Sequence, residues 1–135
     1  SVSAVAAVPA VREAMVALQR KAAEAGDVVA EGRDIGTVVF PAAEVKVYLS
    51  ADPSARALRR AVQRQGGDTA KDASAQVDAA ETAAIEAELV ARDKADSTRE
   101  ASPLRPAADA VHIDSTDLTV DEVCDRIASL MREAR

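Results

Sequence analysis

Three groups of arginine and aspartate are the residues of this chain best suited to chemistry. The first lies in Glu31-Gly32-Arg33-Asp34-Ile35-Gly36, directly after the apolar run Val28-Val29-Ala30. A guanidinium offers a planar fork matched to phosphate, and an ionised carboxylate accepts hydrogen bonds only, so it can read an amino group or a hydroxyl. The flanking glycines suit a tight loop, which needs unusual backbone angles or close approach. The second group is Arg56, Arg59, Arg60 and Arg64, spaced by one helical turn with no acidic residue among them. That spacing gathers guanidinium groups along one side of a helix, although Arg59 and Arg60 diverge. Such a face is ordinarily solvated; built from arginine without lysine, it also suits bidentate phosphate binding. Arg92, Asp96 and Arg99 form the third group, which by spacing alone is a salt-bridge ladder. Near the start, Ser3 and Arg12 flank Val5-Ala6-Ala7-Val8-Pro9, which taken alone is an ordinary helix start with a solvated Arg12-Glu13 pair.

The elements that must position these groups can be read from local signals. Pro9 suits a first helical turn, Val11, Met15 and Leu18 recur at helical spacing, and Gly26 offers a stop, which predicts a helix near 9–24. Asp27 to Ala30 reads as a buried strand and Val45 to Leu49 as a second. Asp52-Pro53 opens a helix, the carboxylate as cap and the proline at the first position, running to about Gln65 and closed by Gly66-Gly67. Asp68 to Ser74 is polar and small, which predicts a mobile connection. Helical character returns from Val77 to about Arg99, with Ile85 and Leu89 on one face. Pro103 and Pro106 bracket a turn, and Ala110 to Ile113 reads as a short third strand. Thr119 and Glu122 have capping-box spacing before a last helix with the apolar stripe Val120, Val123, Ile127 and Leu130. Strands alternating with helices predict an α/β fold, a parallel sheet flanked by helices, because parallel strands need crossover connections.

Composition bounds the rest. At 135 residues the chain suits one domain. Of its residues 48 % are hydrophobic, many of them alanine, and Phe40 and Tyr48 are the aromatic ones, so a lean, helix-rich core is expected. A net charge of −6 argues against a general nucleic-acid binder, which carries a positive footprint. One cysteine, Cys124, forms no internal disulfide, and no paired Cys and His spacing suggests zinc. No basic-then-apolar leader opens the chain, and no run approaches the roughly 18–20 apolar residues of a membrane span. These features predict a soluble, cytoplasmic protein with no membrane partner. On its strand, His112 reads as a structural or edge residue, and Cys124, between Val123 and Ile127, as a buried inert thiol.

The run from Glu31 to Pro41 resembles the nucleotide-proximal loop of bacterial cytidylate kinases. Ala91 to Arg99, followed by Ser102-Pro103-Leu104, is similar to the family segment that closes over the monophosphate. The stretch from Ser3 to Ala14 is similar to its cytosine-reading helix. The resemblance covers nearly the whole chain and weakens between Gly66 and Ala80. It implies a nucleoside monophosphate kinase-like, P-loop kinase fold with a lid-like helical region at about 53–99, and transfer of the γ-phosphoryl group of ATP to CMP or dCMP. It further implies that Ser3, Arg12 and Asp34 read the base, that Arg92 and Asp96 lie near the ribose, and that Arg33 and Arg99 hold the acceptor phosphate. Arg56, Arg59 and Arg60 would close over the donor phosphates of ATP, and Arg33, Arg59 and Arg99 would carry the catalytic charge neutralisation. The loop Asp114-Ser115-Thr116 is similar to the family's adenine-side loop and equally readable as a polar turn entering a helix.

A kinase of this class carries Gly-x-x-x-x-Gly-Lys-Ser/Thr, whose amides cradle phosphates and whose hydroxyl binds magnesium. No such motif occurs between Ser1 and Arg135. The expectation is therefore residues 1–135 as the C-terminal part of a cytidylate kinase-like domain, missing its N-terminal strand and phosphate loop. Magnesium is expected, with its usual protein ligand absent from the chain. In the resemblance the absent strand lies between the strand ending at Glu31 and that near Val45 to Leu49, so both would keep exposed inner edges. A chain of this extent is expected to have little or no kinase activity, to need the N-terminal segment, and to be a monomer when intact. The alternatives are a non-catalytic pyrimidine-nucleotide-binding module and an alanine-rich helical interaction protein.

Overall fold

The computed structural model describes residues 2–67, 78–100 and 103–135, without the side chains of Val2 and Ser3. The base-reading role of Ser3, the connection at 68–74, the start of a helix at Val77 and the part played by Ser102 thus lie outside the described residues. A short helix that local signals do not predict, α1 (Val2–Ala6), precedes α2 (Pro9–Ala23). Pro9 occupies the first turn of α2, where a missing N–H costs nothing and the fixed φ is already helical. The helix is as predicted, but its apolar stripe is not buried: Met15 and Leu18 are exposed and α2 has no buried residue.

Asp27 to Ala30 corrects the sequence reading. The segment is extended, yet it joins no ladder among the described residues, and Val28 and Val29 are 53 % and 85 % exposed. β-Propensity describes fitness for a pleated, half-covered surface, and without a neighbouring strand it yields no strand. The chain then makes a single wide π-helical turn, Ile35–Val39, in which Val39 N–H donates to the Asp34 carbonyl at 3.2 Å and Phe40 N–H to that of Ile35 at 2.7 Å.

Strand β1 (Val47–Ser50) pairs in parallel with β2 (Val111–Asp114), Val47 opposite Val111 and Ser50 opposite Asp114. The crossover between them holds α3 (Pro53–Arg64) and α4 (Ala79–Thr98), and α5 (Val120–Glu133) ends the chain. Asp52 does not cap α3 with its carboxylate; its backbone N–H instead donates to Thr116 Oγ1 at 2.9 Å, which joins the helix start to the loop after β2. The predicted stop is local chemistry. Gly66 has a φ of 77°. Its N–H donates to Gln63 O at 3.0 Å and that of Gly67 to Val62 O at 3.0 Å. This is the reciprocal closure of a Schellman motif.

Helices α3 and α4 meet along Ala57, Ala61 and Ile85, all buried, with Leu89 packed against them. Arg56 reaches residue 93 while Arg64 reaches Glu88, so the two run antiparallel. Alanine on α3 lets the helices approach closely, which suits a chain with few large apolar residues. Val39, Val62 and Ile113 complete the buried apolar set. The capping box of α5 is present in both halves, Thr119 N–H to Glu122 Oε2 at 2.7 Å and Glu122 N–H to Thr119 Oγ1 at 3.1 Å. Two otherwise orphaned backbone donors are thereby satisfied. The apolar stripe of α5 is not buried, and Cys124 is exposed rather than buried. On helix α5, one residue past Val123 is a rotation of about 100°, enough to turn a side chain away from a half-covered stripe. His112 is exposed on β2, its ring 5.2 Å from that of Tyr48 across the ladder. No helix among the described residues is long and apolar enough to cross a membrane.

Candidate functional site

Helix α2 holds the Gly-Arg-Asp loop at two points two turns apart. Arg12 donates from Nη2 to Asp34 Oδ2, and Asp34 is 8 % exposed. Arg20 donates from Nε to Val39 O at 2.8 Å and from Nη2 to Val38 O at 2.7 Å. These bonds satisfy carbonyls that the end of the wide turn leaves without helical partners. Sequence reasoning missed Arg20, although its separation of eight from Arg12 puts both on one helix face. The close approach expected of a glycine is found at Gly32, where a Cβ would stand 2.8 Å from Ile35 Cγ1. Gly36 has no such requirement, since a Cβ there would make ordinary contact with Lys46 Cδ at 3.4 Å. Within the Arg12–Asp34 pair, Arg12 Nε is buried and has no hydrogen-bond partner among the described residues. A buried donor of that kind is rare and marks a place for an acceptor.

The next residue, Arg33, turns the other way. Its Nη1 lies 3.0 Å from Asp93 Oδ1 and 2.7 Å from Asp96 Oδ2. Asp93 Oδ2 takes Arg56 Nη1 from α3, and Asp96 is approached by Arg99 Nη1 at 3.3 Å and Arg92 Nε at 3.8 Å. Four guanidinium groups thus share two carboxylates, leaving local positive charge in an acidic chain. Burial alone would raise the carboxyl of Asp93, but hydrogen bonds and charge from Arg56 and Arg33 outweigh it and hold that carboxyl below its usual range. Asp93 escaped the sequence reading because its partners lie 37 and 60 residues away. Ala7 and Pro9 on one side and Arg99 and Glu100 on the other line a cavity of about 310 Å³, which lies between the start of α2 and the end of α4.

The arginines of α3 do not converge as a stripe. Arg59 spans to the loop after β2, donating to Ser115 O at 2.5 Å, Ser115 Oγ at 3.2 Å and Thr116 O at 3.3 Å. That loop is a tight turn in which Asp114 Oδ1 accepts from Thr116 Oγ1 at 2.6 Å and Thr116 N–H at 2.9 Å, and these two bonds hold the Asp114 carboxyl low. Arg60 reaches Gln63 Oε1 at 3.4 Å on the surface, and Arg64 pairs with Glu88 at 3.3 Å. Of the predicted residues, Arg33, Arg56, Arg92, Asp96 and Arg99 therefore meet, Arg12 and Asp34 meet beside them, and Arg59 and Arg60 stand apart. Among the described residues no group of three or more His, Cys, Asp or Glu side chains could hold a metal ion.

The parallel ladder with its helical crossover accords with the nucleoside monophosphate kinase class, a P-loop kinase fold, to which the family match assigns the chain. More narrowly, a family model described as cytidylate kinase matches residues 1–133, and the chain belongs to that family. It is 49 % identical over 134 residues to a cytidylate kinase of Rhodococcus opacus and 50 % identical over 137 residues to one of Nocardia farcinica. Both alignments cover 98 % of this chain, but 55 % and 54 % of those relatives. It is also 47 % identical over 133 residues to a bifunctional pantoate ligase/cytidylate kinase of Synechococcus sp., covering 98 % of this chain and 24 % of that protein. The chain spans about half the length of the first two curated relatives.

Proposed function

We propose that these residues form the acceptor side of a kinase that transfers the γ-phosphoryl group of ATP to CMP or dCMP. The observation that carries the reading is the opposite engagement of adjacent residues: Asp34 in a nearly buried pair with Arg12, and Arg33 in the shared guanidinium cluster. Neighbouring α carbons lie only about 3.8 Å apart, so one loop addresses two ends of a small ligand. The free Oδ1 of Asp34 accepts from the cytosine amino group, and the unpartnered Arg12 Nε donates to the base's acceptors. Uracil would set a carbonyl against that carboxylate and leave buried groups unpaired.

Arg92 and Asp96 lie by the ribose in this reading, and Arg33 and Arg99 neutralise the acceptor phosphate. An oxygen of that phosphate forms the new bond to the γ-phosphorus as the bond to the β-γ bridging oxygen breaks, and ADP departs. Fixed guanidinium groups stabilise that moving charge without reorganising. Arg56, tied through Asp93 beside Arg33, is assigned to the acceptor side, which leaves the donor phosphates to Arg59 and Arg60. Arg59 contributes there once it releases the Ser115 and Thr116 carbonyls, and among the described residues Arg60 has only its surface bond to Gln63 to give up. Magnesium would accompany the donor nucleotide, held mainly by its phosphates.

The 135 residues contain no Gly-x-x-x-x-Gly-Lys-Ser/Thr, so on their own they bind CMP and transfer phosphate poorly or not at all. Incubating mass-verified polypeptide of this length with ATP and CMP tests this: CDP formed at the pace of an intact kinase would refute it. The same motif absence favours a second reading, a binding module without turnover. That reading fails if adding the front segment of a related cytidylate kinase restores turnover. The parallel ladder is not expected of a purely helical interaction protein.

A further inference from the structure

Asp93, on α4, bonds one guanidinium from α3 and one from the loop, a separate oxygen to each. Both arginines commit only Nη1 to these carboxylates: Arg33 to Asp93 and Asp96, Arg56 to Asp93. Neither Nη2 nor Nε of these two residues makes a hydrogen bond among the described residues. A guanidinium tethered through Nη1 keeps its Nη2–Nε edge, which can take an oxyanion through two parallel bonds. The tether is partly buried, with side chains 27–29 % exposed, so it is less screened by solvent than a surface pair.

We propose that Asp93 is a positioning residue, which holds the loop arginine and the α3 arginine on one carboxylate so that their unused edges serve a single phosphate of a bound mononucleotide. This rests on the nucleotide reading given above and adds a residue to it. Asparagine keeps the shape of Asp93 but has one acceptor and no charge, and its amide N–H groups oppose a guanidinium. Arg56 then loses its tether and Arg33 keeps only Asp96, while the base-reading pair is untouched.

Calorimetric titration of CMP and of cytidine into wild-type chain and D93N tests the assignment. The expected result is a roughly tenfold loss of CMP affinity with cytidine affinity changed by less than about twofold. R56Q, which empties the other side of the same carboxylate, should show the same split. Unchanged CMP binding, equal losses for both ligands, or tighter CMP binding in D93N would overturn the assignment, the last by showing Asp93 to be a competing anion. If D93N does not fold, wild-type CMP affinity in R56Q overturns it equally. Wild-type chain that binds neither ligand overturns the nucleotide reading and this inference with it, whereas wild-type binding with an indifferent D93N overturns this inference alone.

Discussion

Replacing Asp34 by alanine should collapse the preference for CMP over UMP. Asp34 is nearly buried, and one oxygen is committed to Arg12, so the other is the acceptor available to a base. A hydrogen bond to a charged group contributes about 1.5–3 kcal/mol, which is roughly 10- to 150-fold in CMP affinity. UMP gains nothing from the carboxylate, so its affinity should hold or rise, and the ratio of the two should fall by about two orders of magnitude at most. Asp34→Asn sharpens the test, because its amide can donate to the uracil carbonyl and should bring the ratio to parity or invert it. The alanine variant also strands Arg12, whose side chain is 17 % exposed. Leaving that charge without its partner should cost roughly 2–4 kcal/mol in stability. Titration calorimetry with both nucleotides, on protein checked by thermal melting, gives the ratio directly. A folded Asp34→Ala protein with wild-type selectivity would refute the role assigned to the carboxylate.

Other outcomes follow from the packing and from the ionised groups. Ala61→Val adds two methyl groups to a seam where Ala61 is 0 % exposed. It should cost about 1–3 kcal/mol, read as a lower denaturant midpoint with the slope unchanged. Thr119→Ala removes the cap of α5 at a cost of about 1 kcal/mol in the same assay. It should also let the Glu122 carboxyl titrate closer to its ordinary value in NMR, since bonds from the Thr119 backbone and hydroxyl hold it low. The Asp93 carboxyl is lower in the folded than in the unfolded chain, so its contribution is complete above the unfolded value near 4 and disappears as pH falls through the folded one. The stability gap between wild type and D93N should accordingly be constant from about pH 5 to 7 and shrink below about pH 4; a gap that widens on acidification would contradict the ion-pair geometry.

Elements fixed by neighbouring residues were legible in the sequence. Pro9 and Pro53 start helices, Gly66-Gly67 closes one, and Thr119 with Glu122 caps another, each through bonds that span a few residues. Features that depend on distant partners were not. Among the described residues Val28 and Val29 have strand chemistry without a ladder, Asp52 donates its N–H to Thr116 in place of capping with its carboxylate, and α5 carries a stripe that is half-covered. At the candidate site, the helical spacing of Arg92, Asp96 and Arg99 showed their meeting, and the Gly-Arg-Asp loop announced itself by composition. Arg20 and Asp93 did not, because their targets are remote carbonyls and guanidinium groups that no local pattern encodes.

The parallel pairing of β1 with β2 also dictates an order of assembly. Ser115 Oγ bonds the carbonyl of Ser50 at 3.0 Å across 65 positions of chain. Closing a flexible loop of that length costs about 4 kcal/mol, more than a four-residue ladder returns at once. The antiparallel contact of α3 with α4 shortens the gap before the strands meet, so the helices should collapse first and the ladder should zip late. Damage to the alanine seam would then slow refolding, whereas damage to the strands would mainly hasten unfolding.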